Sequence, residues 1–142
     1  VIFLLEEFYR YKALYKDSVI LIKVGNFYEI LDKDAMILNK VLGYKLTKLS
    51  NTLKCGFPVS SLSKVKEILD EKHLNYVVVE NGELTCNKDF KDKNIYNSFD
   101  FNIDSVKYSL FRIEKITKYL NNNAYNNVSD LLDEIEVLIN GR

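Results

Sequence analysis

Apolar residues recur along the first two thirds of the chain at spacings that alternate between helical and extended. Leu4, Leu5, Phe8, Tyr11 and Tyr15 step by three and four, which predicts a helix over residues 2–15 with Glu6, Glu7, Arg10 and Lys12 on its other side. VILIKV (19–24) and FYEIL (27–31) are strand-like runs separated by Gly25-Asn26, the pattern of a tight hairpin in which Gly25 supplies a positive φ. Asp32 or Asp34 then caps a short helix that ends near Leu42 and Gly43. YKLTKL (44–49) alternates as a strand does, SNTLK (50–54) reads as a loop, and CGFPV (55–59) as a short extended piece. Ser60 or Ser61 opens a helix with Leu62, Val65, Ile68 and Leu69 as its buried stripe. YVVVE (76–80), Asn81-Gly82 and ELTC (83–86) form a second hairpin.

The character of the chain changes at residue 87. NKDFKDKNIYNS (87–98) is polar and reads as a loop. A helix follows from Asp104 or Ser105 to about Leu120, NNNAYNN (121–127) reads as a linker or turn, and a last helix spans 129–140 between Ser129 and Gly141. The expected fold class is α+β, with a mixed or largely antiparallel sheet and packed helices. The expected domains are residues 1–98, and a two-helix extension over 99–142 packed on them.

At 142 residues and 47% hydrophobic content, the chain is long and apolar enough for one buried core. Twenty basic and twenty acidic residues cancel, which excludes a protein that grips nucleic acid over its whole surface. The distribution is uneven, however. From Lys40 to Lys66 there are six lysines and no acid, whereas the last helix carries Asp130, Asp133, Glu134 and Glu136. This admits two readings, a dipolar soluble surface or a local phosphate-contacting face. No apolar run is long enough to span a membrane. Cys55 and Cys86 lack CxxC spacing and read as free thiols of a reducing, cytoplasmic setting. The single His73, at the polar end of a helix, leaves little for a zinc site or a Ser-His-Asp triad. No metal, cofactor or catalytic group is expected.

The residues of the first hairpin carry more information. KVGNFYEILDKDA (23–35) contains Gly25-Asn26-Phe27-Tyr28-Glu29 followed by Asp34-Ala35. It resembles the signature of the N-terminal mismatch-recognition domain (domain I) of the MutS family, the bacterial DNA mismatch-repair sensors. Tyr15-Lys16-Asp17, Leu46-Thr47-Lys48, Cys55-Gly56-Phe57-Pro58 and Tyr76–Glu80 resemble further landmarks of that family in order and spacing, over roughly residues 5–80. Two departures stand out: Asn26 replaces an Asp in the turn, and Val59-Ser60 stands where the family has an aromatic and a His.

The resemblance implies a non-catalytic module that contacts mismatched or distorted double-stranded DNA. It implies Phe27 as a wedge beside the mismatched base and Glu29 as a contact to a base edge. Two residues apart on a strand, these share a face, and Tyr28 points the other way into the core. Phe27 is therefore expected to be substantially exposed. Lys23, Lys45, Lys48, Lys54 and Lys64 are the candidate phosphate contacts. The family works as a dimeric clamp with an ATPase domain, and the 142 residues contain no G-x-x-x-x-G-K-[ST] loop. A second copy or an ATPase-bearing segment is accordingly an expected partner, and the chain reads either as a piece of a longer protein or as a stand-alone homologue. The alternative function is a protein-interaction module that kept the fold without DNA binding, which zero net charge and the acidic last helix favour.

Overall fold

The computed structural model describes residues 2–122 and 129–140. Helix α1 (Ile2–Leu14) leads into β1 (Val19–Val24) and β2 (Phe27–Leu31), then α2 (Asp32–Leu42), β3 (Thr47–Leu49) and β4 (Thr52–Pro58). Helix α3 (Leu62–Glu71), β5 (Tyr76–Glu80) and β6 (Glu83–Lys88) follow, and α4 (Ile103–Asn122) and α5 (Ser129–Asn140) end the chain. One compact unit runs through Asp104 and a second starts at Ser105. The six strands form one sheet in the order β3-β4-β2-β1-β5-β6. β1 and β5 pair in parallel and every other pair is antiparallel. The architecture is thus the α+β, mixed-sheet class that the patterning implies.

Period-2 alternation divides the strand side chains between two cores. On one face Val19, Leu21, Tyr28, Ile30, Cys55, Phe57, Tyr76 and Val78 pack against Ala35 and Leu38 of α2 and Val65 and Leu69 of α3. On the other, Ile20, Ile22, Leu31, Val77 and Val79 pack against Phe8 and Tyr11 of α1. Each such side chain, fully buried, contributes about 1.5–3 kcal/mol of transfer free energy. Both hairpin turns follow the sequence. Gly25 sits at φ 61°, while Asn81 and Gly82 are both left-handed at 53° and 77°.

Four details differ from the sequence reading. Residues 50–54 are not a loop: only Ser50-Asn51 turn, and β4 begins at Thr52, so β3 and β4 form a third hairpin. The inward set Leu53, Cys55 and Phe57 decides this, because each is fully buried and the polar Thr52 and Lys54 between them merely face outward. Neither Asp32 nor Asp34 caps α2, whose start makes no side-chain cap bond and whose N-cap position is Leu31. Asp34 is buried and used elsewhere. Its carboxylate accepts the Ile20 N–H at 3.0 Å and the Tyr96 hydroxyl at 2.6 Å, and it pairs with the Lys12 ammonium at 2.9 Å. Burial holds the Asp34 carboxyl above the usual carboxylate range despite these partners.

Residues 87–98 are not simply a polar loop. β6 extends through Lys88, two single turns of 3₁₀ helix follow, and Tyr96 is buried in the main core. Phe99 and Phe101 pack against that same core. Lastly, α4 continues through Asn122, into the stretch read as a linker. The remainder of that linker, and the helix stop at Gly141, lie outside the described residues.

Candidate nucleic-acid interface

On its face of the sheet α1 packs on Ile20, Ile22, Leu31, Val77 and Val79, which leaves an open half of β2, β4 and β3 where Phe27, Gly56, Pro58 and Thr47 are exposed. Register places Phe27, Glu29, Gly56, Pro58, Lys54 and Thr47 on that open half. At its end, Val24 pairs with Phe27 across the hairpin, and Phe27 pairs with Pro58 on the other side. The three make an apolar row across three strands. Val24 and Phe27 retain 47% and 49% exposure, and Pro58 is also exposed. Large apolar side chains side by side in water forgo the stabilisation that burial would bring them, and an exposed apolar patch of this kind is a candidate contact surface.

Tyr28 explains how Phe27 can be exposed without loosening the strand. The Tyr28 ring is 1% exposed and stacks on Phe57, with centroids 5.4 Å apart. Its hydroxyl donates to the Glu80 carboxylate. Burial, and then Glu80, raise the Tyr28 phenol well above its ordinary value, so it is a neutral anchor. β2 is thus anchored by the residue next to Phe27.

Below Phe27 the surface opens into a cleft of about 360 Å³ lined by Phe27, Glu29, Lys45, Thr47, Lys54, Cys55 and Gly56. Glu29 Oε2 lies 3.1 Å from Lys54 Nζ. That oxygen is shielded from solvent and makes no hydrogen bond among the described residues, so the ammonium is its charge partner. Gly56 closes the back of the site, where an added Cβ would stand 3.0 Å from Glu29 Oε2. The Cys55 thiol is pushed up to about 12, first by burial and then by the Glu29 and Asp34 charges, and is not a nucleophile. Among the described residues no group of three or more His, Cys, Asp or Glu side chains is placed to hold a metal. Nor is any of their helices long and apolar enough to cross a membrane.

Of the seven candidates read from the sequence, the fold gathers Phe27, Glu29, Lys45 and Lys54 in one place. Lys23 and Lys48 are not with them. Lys23 pairs with Tyr28 and Lys48 with Leu53, which puts both at register positions of the opposite face. Lys64 is exposed in the first turn of α3, the helix that packs on that opposite face. Three contributors were missed: Val24, Pro58 and the seat that Gly56 provides. Val24 was legible, being directly across the hairpin from Phe27. The other two depend on the β2–β4 register, which no local pattern states.

The family model described as MutS domain I matches residues 4–106. The DNA mismatch repair protein MutS of Thermotoga petrophila is 34% identical over 80 residues, 56% of this chain and 10% of that protein. That of Treponema pallidum (strain Nichols) is 38% identical over 56 residues, 39% of this chain and 6% of the relative. That of Thermodesulfovibrio yellowstonii is 28% identical over 98 residues, 65% and 12% respectively. The chain spans about a tenth of the length of these curated relatives. The matched region contains the whole six-stranded sheet with the Phe27–Glu29 hairpin, and the chain belongs to the MutS family through this domain I.

Proposed function

We propose that this domain contacts mismatched or otherwise distorted double-stranded DNA through the open half of its sheet, and makes or breaks no bond there. The observation that carries the reading is the exposed Phe27 ring, held beside Val24 and Pro58 and on the same face as Glu29. An apolar side chain inserted from the minor groove unstacks a base step and kinks the duplex. A mismatched step is cheaper to deform than a matched one, so the wedge discriminates by deformation energy. Glu29 contacts a base edge. Lys45, exposed at the rim of the cleft, contacts phosphate and contributes affinity that is independent of sequence. Lys23, Lys48 and Lys64 reach phosphate only where the duplex bends around the domain. A second copy of the chain, or an ATPase-bearing segment, completes the clamp that the family resemblance implies.

Titration of a labelled G·T duplex and its G·C parent, each at two salt concentrations, tests this. The expected affinity is ~10⁻⁴ to 10⁻⁶ M near physiological salt, strengthening as salt is lowered. Phe27→Ala is expected to remove most of the preference for G·T and to leave G·C binding nearly unchanged. Equal losses on both duplexes would show that the ring is no mismatch probe. Absence of binding even at low salt would favour the interaction-module reading.

A further inference from the structure

β2 and β4 run antiparallel with Leu31 opposite Lys54 and Glu29 opposite Gly56, so Lys54 and Glu29 are diagonal neighbours on one face. Their charged groups meet at 3.1 Å, and the two side chains keep only 28% and 16% of their exposure. The carboxylate rests over Gly56, in a place that a side chain at that position would fill. Two problems attend a carboxylate on a surface that meets duplex DNA. The phosphates repel it, and partial enclosure removes part of its hydration. A nearby ammonium answers both. It offsets the carboxylate's charge as the duplex approaches, and it pairs with Oε2 by charge, leaving Oε1 for a base edge. Lys45 has no such engagement: among the described residues no carboxylate lies within ion-pair distance of it.

We propose that Lys54 serves Glu29 rather than the DNA backbone. It is a positioning residue that fixes the base-contacting carboxylate and thereby sets mismatch discrimination, an inference that rests on the proposed DNA-contacting function. A lysine that grips phosphate and a lysine that holds a carboxylate leave different signatures. Loss of the first weakens all duplexes alike and makes the salt dependence shallower. Loss of the second changes the ratio between duplexes, beyond any uniform weakening by the unpaired carboxylate.

The test uses the 142-residue chain with Lys54→Gln, Lys54→Arg, Glu29→Gln and the Lys54→Gln/Glu29→Gln double variant, titrated with G·T and G·C duplexes over a salt series. Thermal unfolding of each free variant verifies the fold. Lys54→Gln is expected to lower the G·T preference about 3- to 10-fold, the size of a coupling between contacting residues. Lys54→Arg should restore the preference. The double variant should lose no more preference than Glu29→Gln alone. Equal weakening of both duplexes by Lys54→Gln, with a salt slope shallower by about one, would overturn the proposal and make Lys54 a phosphate contact. Additive losses in the double variant would also overturn it. Phe27→Ala separates the two levels. If Phe27→Ala abolishes the preference and Lys54→Gln leaves it unchanged, the inference about Lys54 alone fails. If the unsubstituted chain shows no preference, the proposed function fails and the inference with it.

Discussion

Phe27 and Tyr28 are adjacent in the chain and lie on opposite sides of the sheet, one half-exposed and the other sealed into the core against Phe57. The two rings therefore answer to different selections. Tyr28→Ala is expected to cost about 3–5 kcal/mol of stability, the range for deleting a buried aromatic. Phe27→Ala is expected to fall within about 0.5 kcal/mol of the unsubstituted chain, as surface substitutions do. Urea denaturation of the two variants checks this, and a large loss for Phe27→Ala would mean that the ring supports the fold.

Lys45 and Lys48 are near in sequence and are expected to differ in DNA binding. Lys45 lines the cleft with Phe27, and Lys48 holds a register position on the other face. Lys45→Ala should weaken matched and mismatched duplexes by a similar factor and make the log–log salt slope shallower by about one. Lys48→Ala should change neither. A reversed result, measured by fluorescence titration at several salt concentrations, would place the duplex on the α2–α3 side.

Gly56 leaves the room that the Glu29 carboxylate occupies. Gly56→Ala would bring a methyl group to 3.0 Å from Glu29 Oε2 and 3.2 Å from the Tyr28 carbonyl oxygen. The expected cost is about 1–3 kcal/mol, typical of overpacking, together with a reduced preference for G·T because Glu29 is displaced. Denaturation and duplex titration on the same sample separate the two effects.

The two thiols should react at very different rates. Cys55 is buried with its thiol pushed up to about 12, and Cys86 is partly exposed on β6. One thiol is expected to react with a disulfide reagent in the native protein at pH 8, and two in denaturant. The shift also fixes the sign of a pH effect. Above its ordinary value of 9.0 the Cys55 thiol ionises in the unfolded chain while the native thiol stays protonated. Stability contributed by this group is present below pH 9 and declines as pH rises toward about 12. Cys55→Ala should flatten that decline in pH-dependent unfolding.

Asp34 ties α1, β1 and the segment around Tyr96 together. Asp34→Ala would remove at once the acceptor of the Ile20 N–H and the Tyr96 hydroxyl and the charge partner of the Lys12 ammonium. The expected loss is about 3–5 kcal/mol, the range for breaking a buried charge pair by removing one partner. Hydrogen exchange should show the Ile20 amide losing protection in this variant.

Local pattern determined much of this protein. Alternation in VILIKV and FYEIL, Gly25 at one turn and Asn81-Gly82 at the other yield the β1–β2 and β5–β6 hairpins, because a strand's period and a primed turn depend on a few adjacent residues. The same-face rule for Phe27 and Glu29 is equally local, and the structure has both on one face of β2 with Phe27 half-exposed. Tertiary structure decided what depends on register between distant strands. The pairing of Leu31 with Lys54 brings an ammonium to Glu29, puts Gly56 behind the carboxylate, and turns a lysine read as a phosphate contact into a candidate partner for Glu29. The β1–β2 and β3–β4 registers separate Lys23 and Lys48 from the cleft, since a lysine's face is fixed by the residue paired across from it. Asp34 shows the same limit at a helix start. Its type suits a cap, but only the packed core places the Ile20 amide and Tyr96 hydroxyl within its reach.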